Sequence, residues 1–293
     1  MNKPLLFLAA MLFCLILPTG GAATDAETPG AGSAAAGPPK NTIVICGTGD
    51  SQALLRHLAA AYEELHPDMT VKVPDSIGSN GGIKATAAGK CDLGRVSRPL
   101  KENEKELNLS YLLFARSPVV FLVNATVREV KSITEAQAVA VFSGAITHWS
   151  ELGGRHEKIY VANREKGDSS LSVIENLIPA FKEIKKQAGQ TLYTTPDNIA
   201  TISRYRNTIG YGPLAEAETQ PNILVLRLND IAPDRKNVMD GAYKLVTPFG
   251  LVWKNEAAPS VKNFIDFLSS PAAERIMAGH GAFSTLHGHS GTV

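Results

Sequence analysis

Cysteine is scarce in this chain: three residues in 293, with no Cys-x-x-Cys pair. That excludes a disulfide-built scaffold and a cysteine-rich structural metal site. Charge of either sign is missing in excess, with 29 Lys+Arg against 28 Asp+Glu. A bulk nucleic-acid or membrane-surface binder needs a charge bias that this balance lacks. Glycine (25) and proline (17) are at ordinary levels, which excludes a collagenous chain and argues against wholesale disorder. What is present is 44% hydrophobic residues over a length sufficient for one substantial core or two.

The apolar run Pro4–Pro18 follows Met1-Asn-Lys3 and precedes the small residues Gly20 to Ala23. It falls short of the ~20 residues that span a bilayer. Residues 1–23 therefore read as a cleaved export signal, which places the mature protein outside the cytoplasm. Cys14 lies inside this run without small residues just before it, which argues against a lipid anchor. Losing Lys3 and Cys14 leaves 28 basic and 28 acidic residues and two cysteines. Residues 24–40 are rich in Ala, Gly and Pro without apolar periodicity and read as a flexible linker. The folded part is expected from Asn41.

From there, short β-branched runs alternate with helical periodicity. Thr42–Cys46 reads as a buried parallel strand, and Leu54, Leu58, Ala61, Tyr62 and Leu65 repeat at helical spacing behind an N-cap at Asp50 or Ser51. Further strands are expected at 69–73, 92–97, 117–123, 159–162 and 248–253. Helices are expected at 78–88, 134–142, 171–180 and around 261–268. The pattern is that of an α/β fold with mostly parallel sheets. Cys46 would end its strand and Cys91 begin a neighbouring one, so parallel pairing would separate them and argues against a disulfide.

Three segments share one construction, a strand, then a loop of Gly, Ser, Thr or Asp, then a helix start: Gly47-Thr-Gly-Asp-Ser51, Gly78-Ser-Asn-Gly-Gly82 and Arg164-Glu-Lys-Gly-Asp-Ser-Ser170. Each helix start offers unpaired N–H groups and the positive dipole end to an anion. Hydroxyls add neutral donors, and Arg164 adds a planar charged fork. Any one such loop is more often a plain helix cap. Three of them, one headed by an arginine, point to a shared oxyanion site.

At these residues the chain resembles the periplasmic phosphate-binding proteins of ABC-type importers. The resemblance runs from about Thr42 to Phe283 through GTGDSQALL (47–55), GSNGGIKATAAGKCDLG (78–94), SRPL (97–100), ITEAQAVAVFSGAITHWSELGG (133–154), REKGDSS (164–170), IGYG (209–212) and VKNFIDFLSSPAAERI (261–276). It implies two α/β lobes joined by two crossover strands, residues 41–116 plus 245–293 forming one and 117–244 the other, closing over an oxyanion. Phosphate or a related oxyanion and the membrane subunits of an importer are the implied partners. The expected protein is monomeric and non-enzymatic, without metal, cofactor or nucleic acid.

The implied ligand-binding positions are Ser51, Gln52 (through its backbone), Ser79, Ser97, Arg164, Asp168, Ser169 and Ser170, with Thr48, Asp50 and Arg98 as additional candidates. Two positions depart from the family pattern. Ser97 stands where an aspartate usually accepts the phosphate's proton, and Asp168 stands where the arginine loop usually has serine. Asp168, with Asp50 behind it, becomes the candidate acceptor, against the plainer reading of Asp168 as an N-cap. Arg95 and Arg98 flank Ser97 and are expected at the surface. Trp149 and Trp253 are expected in the core.

Other functions compete. An oxyanion sensor or partner-binding module uncoupled from transport would use the same loops. Gly49-Asp-Ser51 and Gly167-Asp-Ser169 also match the nucleophile block of GDSL-type hydrolases. The Asp-x-x-His that would supply the base occurs nowhere in the chain. His280, His287 and His289 lack neighbouring carboxylates or cysteines in sequence and read as a tail rather than a metal site.

Overall fold

The computed structural model describes residues 41–218 and 220–286. The segments expected to be an export signal and a linker, and the histidines at 287 and 289, lie outside the described residues.

Strand β1 (Thr42–Gly47) is a run of β-branched residues that buries Ile43 and Ile45. Helix α1 (Gln52–Leu65) packs Leu54, Leu55, Leu58 and Tyr62 against it. Next come β2 (Thr70–Lys72), α2 (Gly78–Ala87) and β3 (Leu93–Val96), and β1 pairs in parallel with both strands. This is the expected strand–helix alternation. After the short α3 (Glu102–Lys105), strand β4 runs sixteen residues, Leu109–Asn124, well beyond the expected 117–123.

The reason for that length is a change of core. Phe114 and Ala115 of β4 belong to the hydrophobic cluster of β1 and α1, whereas Val119–Val123 belong to a second cluster. The second cluster is built by β5 (Ser132–Ile133), α4 (Glu135–Ser143), β6 (Tyr160–Arg164), α5 (Ser169–Leu177), α6 (Pro179–Lys182), β7 (Gln190–Leu192), α7 (Thr195–Arg204) and β8 (Thr208–Pro213). Here β6 pairs in parallel with β7 and β8. The helix α8 (Leu214–Ala217) and the short elements β9 (Ile223–Val225), β10 (Arg227–Leu228) and α9 (Arg235–Met239) lead to β11 (Val246–Lys254).

Strand β11 returns antiparallel along β4, with a bulge at Phe249/Gly250, and then pairs with β3. Helices α10 (Pro259–Phe267) and α11 (Pro271–Gly279) and strand β12 (Phe283–Ser284) complete the chain. The fold is thus two-lobed α/β, with β4 and β11 passing between the cores in a sheet of order β2-β1-β3-β11-β4-β8-β6-β7. Trp149 is 1% exposed, as expected of a core residue, and Trp253 packs half-buried against the first cluster. Among the described residues no helix is long and apolar enough to cross a membrane.

One expectation is corrected. Cys46 and Cys91 form a disulfide, with their Cα atoms 6.0 Å apart. The expectation of separation assumed that Cys91 lies in the parallel register. However, β3 begins only at Leu93, opposite Ile45, and Cys91 belongs to the turn that follows α2, outside that register. The bond closes a separation of 45 residues, and replacing both cysteines with alanine is expected to cost about 2–4 kcal/mol in urea unfolding. An unchanged unfolding midpoint would show that the bond contributes nothing.

Candidate functional site

The three loops do converge. Thr48 and Gly49 from the first, Gly78, Ser79 and Asn80 from the second, and Arg164 to Ser169 from the third line a single cleft of about 370 Å³. Arg98 also lines it, while Asp50, Ser51 and Ser170, next in sequence to lining residues, are each fully buried and are not among those that line it.

The first loop is held from behind by Arg95. Its guanidinium donates to the carbonyl oxygens of Thr48 (2.6 Å) and Pro74 (2.7 Å), to that of Ile45, and to Gln52 Oε1 (3.0 Å). Arg95 is therefore completely buried, not on the surface as expected, because the turning loop leaves several carbonyls that only a fork of donors can satisfy together. Burial lowers its pKa to about 10. Gly47 completes the device: at φ +142 it brings the chain so close that a Cβ would meet Arg95 O at 2.0 Å.

Ser51 occupies the cap position of α1, but its hydroxyl makes no capping bond. The N–H of Gln52 is bonded to Gly49 O at 3.2 Å, and the N–H of Ala53 donates to Glu216 Oε1 at 2.6 Å. The Gln52 side chain faces Arg95 and not the cleft. Ser79 Oγ accepts the Ser97 N–H at 3.1 Å, and Ser97 Oγ reaches Thr48 Oγ1 at 3.5 Å, so Ser97 ties the lobe's loops together. Arg98 is forked onto Glu104, both bonds at 2.6 Å.

On the opposite wall, Arg164 ends β6 with its side chain 4% exposed. Its Nη1 lies 2.9 Å from Asp168 Oδ2 and donates to Thr195 Oγ1 at 2.6 Å. Nε and Nη2 meet Glu165 at 3.0 and 3.2 Å. Asp168 is both things at once, an N-cap and an ion-pair partner: its Oδ1 accepts the Leu171 N–H at 2.8 Å. Thr195 then donates to Asp50 Oδ1 at 2.6 Å, closing a chain of contacts from one wall to the other.

Six buried side-chain polar atoms among the described residues have no hydrogen-bond partner, and three sit on these loops: Asp50 Oδ2, Ser51 Oγ and Ser170 Oγ. Such atoms are uncommon because each forfeits its hydration without replacement. Two acceptor-donor hydroxyls and one carboxylate oxygen, beside a buried guanidinium, suit a ligand that is anionic and still carries a proton.

The acids here are strongly perturbed. Burial, reinforced by Asp50, pushes the Asp168 carboxyl up to about 7 against the pull of Arg164. Burial likewise pushes Glu216 up to about 7, although the Ala53 N–H opposes it. For Arg164, burial works to lower the pKa, and Asp168, Asp50 and Glu165 together outweigh it and hold the group above its ordinary value. A carboxyl raised in the fold keeps a proton that the unfolded chain releases near pH 4. Its penalty therefore builds as pH rises from ~4 to ~7 and is constant above. Glu216→Gln, which keeps an acceptor for Ala53, should then stabilise the protein at pH 8 by about 1–3 kcal/mol and leave it unchanged at pH 4. Urea midpoints across this range check it, and a difference independent of pH would contradict it.

Thr195, Glu165 and Glu216 were not singled out by sequence. Thr195-Pro196 carries a helix-start signal, since Thr194 caps α7 and proline stands in its first turn. Nothing local marks Thr195 as a bridge. Among the described residues no cluster of three or more metal-ligating side chains occurs, and no histidine lines the cleft.

This combination, two α/β lobes on two crossover strands with a polar cleft between, defines a class of proteins that bind solutes. The chain belongs to the PBP superfamily, whose domain model matches residues 24–272. It is 27% identical over 273 residues to the phosphate-binding protein PstS of Bacillus subtilis (strain 168), covering 92% of this chain and 89% of that protein. To the PstS of Borreliella burgdorferi it is 24% identical over 248 residues, covering 82% and 88%. Among solved structures, one described as a phosphate ABC transporter substrate-binding protein with bound phosphate, from Clostridium perfringens, aligns with a TM-score of 0.73 and 26% identity, covering 83% of this chain and 99% of that one.

Proposed function

We propose that this chain is an extracytoplasmic solute-binding protein that captures phosphate between its lobes, residues 41–116 plus 245–293 and residues 117–244, for delivery to the membrane subunits of an ABC importer. The observation that carries the reading is the meeting of the three loops at one cleft, where Arg164 is linked through Thr195 to Asp50 and where the loops carry three buried atoms without hydrogen-bond partners, Asp50 Oδ2, Ser51 Oγ and Ser170 Oγ. The relatives' names and the phosphate-bound neighbour support it.

The geometry favours Asp50 over Asp168 as the proton acceptor. Both Asp168 oxygens are engaged, by Leu171 N–H and by Arg164, whereas Asp50 retains one oxygen without a partner. Arg164 supplies the charge, Ser51 and Ser170 donate, and Asp50 Oδ2 takes the ligand's proton. Three carboxylates (Asp50, Glu165 and Asp168) surround one arginine, so the site repels a fully ionised anion and accepts one that brings a proton to share. Inorganic phosphate does so near neutral pH; sulfate does not.

Both walls come from one chain, so a monomer suffices, and the mature protein would act outside the cytoplasm after removal of residues 1–23. A catalytic serine needs an oriented base, whereas Ser51 Oγ has no partner, which supports binding over turnover. A thermal-shift panel of oxyanions tests the reading: phosphate and arsenate should raise the unfolding temperature and sulfate should not. Stabilisation by none of them would overturn it.

A further inference from the structure

A second cavity lies elsewhere. It encloses about 810 Å³, against about 370 Å³ for the anion cleft, and is within the range of small-molecule sites. Strand β6 connects the two: Arg164 ends it at the cleft, and Tyr160 begins it at the cavity, about 13 Å away at ~3.3 Å per residue. Thr208, the first residue of β8, also lines the cavity, so it occupies the opposite end of the second lobe's parallel strands.

Its composition differs in kind from that of the cleft. Val141, Ile146, Ile159 and Val161 give apolar walls. Gly189, at φ +81, lets the chain press against Val161, where a Cβ would meet the carbonyl oxygen at 1.9 Å. Tyr160 and Tyr205 are each 54% exposed, an unusual degree for two aromatic rings in one concave surface. Lys158 stands over the Tyr160 ring (5.9 Å to its centre), and the Arg204 guanidinium over that of Tyr205 (5.5 Å). With Arg206, three cations and no acid are among the seventeen lining residues. None of the three makes an ion pair among the described residues.

We propose that this cavity is a second ligand site, for a small amphipathic anion with an aromatic or other apolar body and one anionic head, of the class of aromatic carboxylates and sulfonates. The apolar walls take the body, the tyrosines flank it, and Lys158, Arg204 and Arg206 meet the head at the rim. Stacking on the tyrosines holds two of the cations in place before the ligand arrives, which reduces the ordering lost on binding.

The test uses 1-anilinonaphthalene-8-sulfonate with the mature chain, residues 24–293, saturated with phosphate so that the cleft is filled. The expected result is saturable fluorescence enhancement at one equivalent. The charge reversal Lys158→Glu with Arg204→Glu should weaken it at least about tenfold, the scale of one charged contact, without changing phosphate affinity. The uncharged analogue N-phenyl-1-naphthylamine should bind both chains equally. Should the double variant fail to fold, Tyr205→Ala replaces it, with severalfold weakening expected. The proposal is overturned if the sulfonate does not saturate, if either variant binds it as tightly as the wild type, or if phosphate displaces it. It is also overturned if binding appears only after removal of residues 24–40, since the chain's own segment would then be the occupant.

Discussion

Replacing Arg164 with alanine is expected to weaken phosphate binding by about 2–4 kcal/mol, or roughly 30-fold to 1,000-fold, the range for removing one member of a buried charged hydrogen-bonded pair. The guanidinium is the one cation that the second lobe places inside the contact chain from Asp168 through Thr195 to Asp50, as far as the described residues show. Its loss removes the buried positive group of the second lobe and leaves Asp50, Glu165 and Asp168 without the guanidinium that offsets them. Arg164→Lys keeps a charge without the planar fork and should fall between the two. Asp168 and Glu165 also lose their ion-pair partner in the free protein, so Arg164→Ala is expected to be less stable, and its circular dichroism must be recorded beside its affinity. Ser170→Ala separates the effects, because Ser170 Oγ has no internal partner. It should lose about 1 kcal/mol of phosphate binding with little change in stability. Wild-type affinity in folded Arg164→Ala would remove Arg164 from the site.

The second large effect concerns discrimination. Asp50→Asn keeps an oxygen to accept from Thr195 and puts an N–H donor where Asp50 Oδ2 now has no partner. A donor there can no longer accept the proton of phosphate and can instead serve sulfate. The phosphate preference should narrow by about 1–3 kcal/mol, the cost of one mispaired buried polar group. Asp168→Asn is the contrast. Asparagine still caps α5, and both Asp168 oxygens are already engaged, by Leu171 N–H and by Arg164, so the phosphate-to-sulfate ratio should stay within about threefold, below one kcal/mol. If the two substitutions exchange these outcomes, Asp168 is the acceptor. Competitive titrations with both anions read either result.

Much of this was legible in the sequence, and the boundary of what was legible is physical. Strand β1, helix α1 and the N-cap at Thr134 follow from local periodicity and capping chemistry, which operate within a few residues. The loop around Arg164 stood out for the same reason. The bridge from Asp50 to Thr195 did not, because it joins residues 145 positions apart and exists only once two lobes face each other. Glu216 is 163 positions from the Ala53 N–H it accepts. Arg95 misled for a related reason. At a strand end a charged residue is usually solvated, but here a cluster of loop carbonyls converges on it and the whole side chain is buried. The cysteines were judged by strand register, which stops applying at the turn where Cys91 lies.

Isothermal titration of the mature chain with phosphate and then with sulfate at neutral pH bears most directly on the account. One phosphate per chain is expected, with sulfate weaker by about 10³–10⁴-fold, the discrimination attainable when a buried acceptor requires a proton that the competitor lacks. Sulfate bound as tightly as phosphate, or no heat from either anion, would contradict it.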